Sequence, residues 1–124
     1  MQVTKLWFAN GNYTGSLPAA WSRLTNLQVL NLSSNALTGT LPPEWSGLAG
    51  LQLLDLNSNA INGTLPRAWG SMAGLQVLDL TFNALNGTLP PSWSRLACLE
   101  VPDLNLLSSL LLSALLGLGV GLKY

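Results

Sequence analysis

The sequence predicts a repeat fold of the α/β class, a solenoid bent into an arc whose concave face is a parallel sheet. Three observations predict it. A unit of 24 residues recurs without insertion at 27–50, 51–74 and 75–98. Each unit opens with leucines that alternate with outward-facing residues, which is the pattern of a short strand with one buried face. Each unit then carries a Gly-x-Leu-Pro step and a tryptophan at a constant distance, so successive units can stack and share one core.

The repeats divide the chain into two parts. Four repeats are predicted, at 3–26, 27–50, 51–74 and 75–98. A decayed fifth repeat follows from residue 99. The decay shows in Pro102, which falls where a strand leucine belongs, and in Leu107, which replaces an asparagine. We therefore expect a solenoid over 1–103 and a separate hydrophobic segment over 104–124.

Each recurring residue of the unit has an expected structural role. The strand leucines should point into the core: Leu30, Leu32, Leu54, Leu56, Leu78 and Leu80. An asparagine just past each strand should bond the backbone groups that the turn exposes, at Asn35, Asn59 and Asn83. A glycine permits the next turn, at Gly39, Gly63 and Gly87. We expect the tryptophans to fill the space under the convex wall rather than to stack on sugars: Trp21, Trp45, Trp69 and Trp93.

The composition excludes several classes of function. Charged residues make up 8% of the chain and the net charge is zero, so no basic surface is available for nucleic acid. Histidine is absent, which removes the commonest general base and metal ligand. The single cysteine, Cys98, can form neither an intrachain disulfide nor a metal knuckle, and we expect a buried structural thiol. We therefore predict no enzyme, no cofactor and no metal site.

The recurring unit, LxxLxLxxNxLxGxLPxxW, resembles the Gly-x-(Ile/Leu)-Pro subclass of leucine-rich repeats, which is found in plant receptor ectodomains. Tryptophan followed by serine, as in LPPEWS at 41–46 and LPPSWS at 89–94, resembles the repeat of trypanosomatid surface antigens of the promastigote surface antigen group. The resemblance covers residues 3–98. It implies a cell-surface or secreted protein, often lipid-anchored, with roles in host-cell attachment and complement resistance. The first residues lie inside a repeat rather than in a secretion signal, so we expect a piece of a longer protein or a truncated gene copy.

Solenoids bind their ligands on the exposed faces of the strands. Outward positions form three columns there: one aliphatic, one that becomes acidic along the solenoid, and one of small polar residues. The candidate ligand-binding residues are Trp7, Val29, Asn31, Leu53, Asp55, Asn57, Val77, Asp79 and Thr81. Asp55 and Asp79 should lie about 4.8 Å apart on adjacent strands and repel each other, which suggests a basic partner or, as a second alternative, a calcium ion. Solvated carboxylates without a ligand are the third alternative.

Four Asn-x-Ser/Thr patterns are candidate glycosylation acceptors: Asn12, Asn31, Asn62 and Asn86. Asn62 and Asn86 occupy the same position of the repeat, so one feature of the unit creates both. These patterns matter only if the chain enters the secretory pathway.

The last segment is uncharged and rich in leucine. Residues 104–122 contain no charged side chain. As a helix they would be about 28 Å long, close to the roughly 30 Å of bilayer hydrocarbon, so we expect a C-terminal helix associated with a membrane. The alternatives are a helix that caps the last repeat, a lipid-anchor signal and the product of a damaged reading frame.

These features favour a non-enzymatic recognition module, a surface antigen or adhesion-type protein that binds a protein or a glycan through its concave face. The expected location is the cell surface, in association with a membrane, or the secreted fraction. One alternative is a plant-type receptor-like ectodomain. The other is a structural fragment of a longer repeat protein without its own activity.

Overall fold

The structure, a computed structural model, describes residues 2–96 and confirms the predicted solenoid. Each of its four repeats contributes a strand on the concave side, a second short strand and a 3₁₀ helix on the convex side. The concave strands are β1 (Lys5–Trp7), β3 (Val29–Asn31), β5 (Leu53–Asp55) and β7 (Val77–Asp79). The second strands are β2 (Thr14–Ser16), β4 (Ala36–Thr38), β6 (Asn62–Thr64) and β8 (Ala84–Asn86). The 3₁₀ helices span Ala19–Arg23, Pro43–Gly47, Arg67–Ser71 and Pro91–Arg95.

The concave strands form one parallel sheet in the order β1-β3-β5-β7. Equivalent residues of successive repeats face each other in register, as Leu30 does with Leu54 and Leu54 with Leu78. Because this register repeats without a shift, each outward position becomes a straight column across the sheet.

The core lies between this sheet and the 3₁₀ helices. The strand leucines point into it as predicted: Leu30, Leu32, Leu54, Leu56 and Leu78 are buried, and Leu80 is partly buried and packs against them. Leu27, Leu51 and Leu75 add a second buried row just before β3, β5 and β7. The core therefore runs the length of the described solenoid as one continuous cluster.

The asparagine column performs the predicted structural role. Asn59 donates from Nδ2 to the carbonyls of Leu32, Leu56 and Asn57 at 3.0, 3.0 and 3.2 Å. Its Oδ1 accepts the backbone N–H of Leu37 at 3.1 Å. One side chain thus ties two repeats together by satisfying backbone groups that the turn withdraws from the ladder. Asn35 and Asn83 make equivalent bonds.

The tryptophans fill the convex side, as predicted, and stack along the solenoid. The ring centroids of Trp45 and Trp69 lie 6.3 Å apart with an interplanar angle of 4°, and the pairs on either side repeat that distance. Trp69 is fully buried. Its indole N–H donates to the carbonyl of Pro42 in the preceding repeat at 2.8 Å, a bond that the sequence pattern did not predict. The column therefore stabilises the solenoid through both packing and hydrogen bonds.

The second strands form an outer sheet that the sequence analysis did not predict. β2 pairs with β4 and β6 with β8, both in parallel, and a bridge between Thr40 and Asn62 joins the two pairs. Each second strand ends in or beside a glycine with positive φ, 79° at Gly39 and 85° at Gly63. That left-handed conformation is the one glycine adopts without a steric cost, and it turns the chain from the outer sheet into the Leu-Pro segment.

Several predictions fall on residues outside the described range 2–96. They concern the decayed fifth repeat from residue 99, the thiol of Cys98 and the apolar C-terminal helix over 104–124. Among the described residues, none of the helices is both long and apolar enough to cross a membrane.

Candidate functional site

The concave sheet presents the predicted aliphatic column as a row of half-buried side chains. Val29, Leu53 and Val77 are register partners on β3, β5 and β7, and none is fully covered. Lys5 begins the column on β1 with an exposed side chain. Apolar side chains arranged at the strand spacing on a rigid backbone can contact the alternate side chains of an extended partner.

The second column consists of Trp7, Asn31, Asp55 and Asp79, which are register partners along the sheet. Asp55 accepts at Oδ1 from the backbone N–H of Asn57 at 3.0 Å and from its Nδ2 at 2.6 Å. Asp79 accepts in the same way from the N–H and the Oγ1 of Thr81, at 3.1 and 2.6 Å. These side chains therefore hold the turn that follows each strand, the local role that Asx residues commonly take.

Asn31 makes the same contacts without a charge. Its Oδ1 accepts from the backbone N–H of Ser33 at 2.9 Å and from the Ser33 hydroxyl at 2.6 Å. The turn thus needs an acceptor oxygen at this position, and an amide supplies it as well as a carboxylate does. Because the turn does not need the negative charges of Asp55 and Asp79, they require another explanation.

The surroundings of Asp55 disfavour its charged form. Partial burial raises the pKa of the Asp55 carboxyl, and the neighbouring Asp79 raises it further, while the hydrogen bonds from Asn57 act in the opposite direction. The remaining oxygen of Asp79, Oδ2, lies 3.4 Å from the Nδ2 of Asn57. A cation placed between the two carboxylates would offset the repulsion and favour the ionised form of Asp55.

Two predicted ligand-binding residues are less accessible than expected. Asn31 and Thr81 are each 6% exposed, whereas the alternation of the strands had placed both on the open surface. The physical reason is the local bonding described above, which folds the polar side chains against the turn. Asn57 is half-buried for the same reason. Among the candidates, Trp7 is the most open, with 66% of its surface exposed.

Phe82 is an exposed aromatic residue that the sequence analysis missed. It is 64% exposed and has a φ of 56°, the left-handed conformation that Ser34 and Ser58 adopt at the same position of earlier repeats. A bulky side chain is unusual at a positive φ, and a large aromatic side chain is seldom this exposed. The signal was present in the sequence, because phenylalanine stands in a position that serine occupies in two other repeats.

An open apolar groove of about 250 Å³ lies at the first repeat. Phe8, Tyr13, Leu17, Trp21 and Leu37 line it, and the rings of Phe8 and Tyr13 meet edge to face. Since Leu17 and Leu37 belong to the core, this groove is an opening into the core and is distinct from the concave columns.

The acceptor asparagines differ in accessibility. Asn12, Asn62 and Asn86 are exposed. Asn31 is buried and its Oδ1 is engaged with Ser33. Within residues 2–96, no three His, Cys, Asp or Glu side chains are grouped so that they could hold a metal ion.

Comparisons with known proteins support one family. Two family models, both described as leucine-rich repeat, match residues 9–61 and 74–96, which together make up more than half of the chain. No protein with a curated description matches the sequence.

Plant proteins are among the solved structures that share the fold. The chain is similar to PEPR1 in its complex with AtPEP1, at 35% identity and a TM-score of 0.76, over 78% of this chain and 14% of that one. It is similar to the plant peptide hormone receptor RGFR1 in complex with RGF2, at 33% identity and a TM-score of 0.77, over 79% and 16%. It is also similar to a plant ice-binding protein, at 32% identity and a TM-score of 0.74, over 79% and 32%. The chain therefore spans less than a third of the length of each of these proteins.

Proposed function

Because the chain belongs to the leucine-rich-repeat family, we propose that it is a non-enzymatic module that binds a protein or peptide partner through its concave sheet. One observation carries the proposal: a row of half-buried aliphatic side chains runs beside two carboxylates whose charges the fold does not need. Such a row offers apolar contact area and a fixed polar anchor on one rigid surface.

The chemistry of the columns indicates the kind of partner. Asp55 and Asp79 are half-buried and adjacent, so a lysine or arginine of the partner would form charge-assisted hydrogen bonds with both. Trp7 lies in the same column, about 10 Å from Asp55 at the strand spacing. It can cover an apolar or cationic side chain of the partner. We therefore propose an extended segment with a basic residue flanked by apolar ones.

The similar receptors support this proposal, since PEPR1 and RGFR1 were solved as complexes with AtPEP1 and RGF2. A receptor-like ectodomain, a surface antigen and an adhesion-type protein would all use such a face. The finer assignment to the promastigote surface antigen group, a glycan partner and membrane association through 104–122 are further proposals, based on the sequence alone. A surface or secreted location would make Asn12, Asn62 and Asn86 candidate acceptors, and Asn31 is omitted because it is buried.

The proposal can be tested by selecting peptides on the immobilised full chain from a random-peptide display library. Enriched peptides should contain lysine or arginine. The double variant Asp55→Asn/Asp79→Asn keeps both turn acceptors and should bind them about tenfold more weakly or worse, because it removes the charge from each pair. Glu44→Gln removes a carboxylate from the exposed convex helix and is the matched control. Peptides that bind the double variant and the control equally well would contradict the proposal.

A second candidate function is the binding of ice. The similarity to a plant ice-binding protein over 79% of this chain suggests it. The observation that favours it is the outer sheet, whose outward side chains are regularly spaced, exposed and uncharged. Inhibition of ice recrystallisation by the purified chain would support this function, and growth of ice at the rate seen in buffer alone would exclude it.

A further inference from the structure

We propose that the site for ice is the outward side of the outer sheet, formed by two rows of side chains on β2, β4, β6, β8 and the residues that follow them. This inference rests on the second candidate function and assigns it a surface, which we call the outer face. The first row is Thr14, Thr38, Asn62 and Asn86, and the second is Ser16, Thr40, Thr64 and Thr88. The rows run obliquely across the strands, because the residues that face each other belong to different rows, as Ser16 does with Thr38 and Thr40 with Asn62. All of these side chains are exposed.

The outer face is uncharged and contains no large side chain. Ala36 and Ala84 lie on the same face, as the register partners of Thr14 and Asn62, and they are exposed, as is Ala60. The charged residues of the described chain lie elsewhere, on the concave sheet or in the 3₁₀ helices. A protein partner is usually anchored by aromatic residues or arginine in pockets. At its first-repeat end the outer face borders the aromatic groove, which Thr14 and Ser16 help to line, and from β4 to β8 it carries neither kind of anchor. Its hydroxyl, amide and methyl groups match a flat, neutral partner instead.

The backbone fixes these groups in a regular grid. The N–H groups of Ala60, Asn62 and Ala84 each donate across the sheet at 2.8 Å, to the carbonyls of Leu37, Gly39 and Ile61. Neighbouring strands are therefore about 4.8 Å apart, and alternate residues of one strand are about 6.7 Å apart. These two spacings are of the order of the separations between oxygen atoms on the faces of hexagonal ice, so several groups can meet lattice positions at once.

The second row is also held in place by its glycines. A Cβ added to Gly63 would lie 2.9 Å from Cγ2 of Thr40, and one added to Gly87 would lie 3.0 Å from Cγ2 of Thr64. Each threonine methyl thus rests on the glycine of the following repeat, in space that only a missing side chain provides. This contact restricts the rotamers of the threonine side chains, so little conformational entropy is lost when their hydroxyls bind a rigid lattice.

Two of the candidate glycosylation acceptors, Asn62 and Asn86, lie in the first row. A glycan on either would cover the outer face and prevent contact with a crystal. The inference therefore concerns the chain without glycans at these positions, and protein expressed in bacteria is the appropriate material.

The test compares inhibition of ice recrystallisation by the full chain and by single variants. Thr38→Tyr projects a ring from the first row, and Thr38→Lys, as a second variant, introduces a charge at the same exposed position. Thr25→Tyr makes the same change at an exposed threonine outside the outer face and is the matched control. Circular dichroism checks that each variant is folded.

We expect both Thr38 variants to need about tenfold more protein for the same inhibition, while Thr25→Tyr behaves like the original chain. If the original chain is active and the Thr38 variants match Thr25→Tyr, the outer face is not the site although ice binding stands. If the original chain itself is inactive, the second candidate function fails, and this inference fails with it. Neither outcome affects the binding of peptides by the concave sheet.

Discussion

Substituting Asp55 by asparagine or by alanine separates the two contributions of this side chain to stability. Its Oδ1 accepts two hydrogen bonds from Asn57, at 3.0 and 2.6 Å. Asparagine keeps an acceptor there, as Asn31 shows at the equivalent position with bonds of 2.9 and 2.6 Å. Alanine removes both bonds. At about 1 kcal/mol for each bond, Asp55→Ala should lower the free energy of unfolding by about 2 kcal/mol.

Asp55→Asn should behave differently because it removes only the charge. Burial raises the pKa of Asp55 above its ordinary value of 3.8, so the folded chain binds the proton more tightly than the unfolded chain. Stability must then fall as the pH rises from 3.8 through the raised value. Above that window the original chain carries the unfavourable charge and Asp55→Asn does not, so the variant should be at least as stable as the original.

Urea-induced unfolding, followed by circular dichroism at neutral pH and below pH 3.8, checks both expectations. The advantage of Asp55→Asn should be confined to the higher pH, because below the window Asp55 is protonated in the folded and unfolded chains alike. The loss in Asp55→Ala should persist at both. If Asp55→Asn were as unstable as Asp55→Ala at neutral pH, the carboxylate itself would be required by the turn, and its charge could not be assigned to a partner.

Three further predictions concern the other columns. Asn59→Ala removes four hydrogen bonds. The N–H of Leu37 loses its side-chain acceptor, while the three carbonyls keep donors from other residues. The free energy of unfolding should therefore fall by about 3 kcal/mol in urea denaturation, and a loss under about 1 kcal/mol would mean that water replaces these bonds. Trp69→Phe should cost about 1 to 2 kcal/mol, because the carbonyl of Pro42 loses the indole donor and keeps only the backbone N–H of Trp45 at 3.2 Å. Trp21→Phe at the half-buried end of the stack should cost less in the same assay, and equal costs would refute the role of the N–H. Phe82→Gly should raise the melting temperature, because glycine adopts a φ of 56° without strain. The same substitution should weaken peptide binding if Phe82 contacts the partner.

The interior of the solenoid could be predicted from the sequence because each interior position recurs at the same place in successive repeats. Aligning one unit under the next shows that leucine, asparagine and tryptophan recur at constant positions. Each of these residue types has a single stable placement in a stacked core. The burial of Leu54, the bonds of Asn59 and the place of Trp69 under the convex wall followed from that, whereas the stacking of the tryptophan rings was not predicted.

The surface could be predicted only in part, because short-range hydrogen bonds decide it. Strand alternation placed Asn31 and Thr81 outside, yet each is held against the turn by a partner two residues away. The alternation of a strand does not show whether a polar side chain points into solvent or bonds to a group of the neighbouring turn. The outer sheet was missed for a different reason: its strands pair with a separation of 22 residues, as Ser16 does with Thr38, so the partners do not align when the chain is read in steps of 24.

Differences between the repeats of this one chain separate structural positions from functional ones. Where three or four of the described repeats keep the same residue in contact with the core or the turn, as with the asparagines and tryptophans, the fold is a sufficient explanation. Where outward-facing residues differ, as at Trp7 and Asp55 in one column, the fold tolerates several side chains and leaves the choice to a partner. The second row of the outer face fits neither case, because Thr40, Thr64 and Thr88 are the same and are exposed. Ser16 fills the equivalent place against Gly39, so the core does not require the methyl group. A partner whose own structure repeats regularly, such as the ice lattice proposed above, would account for that sameness.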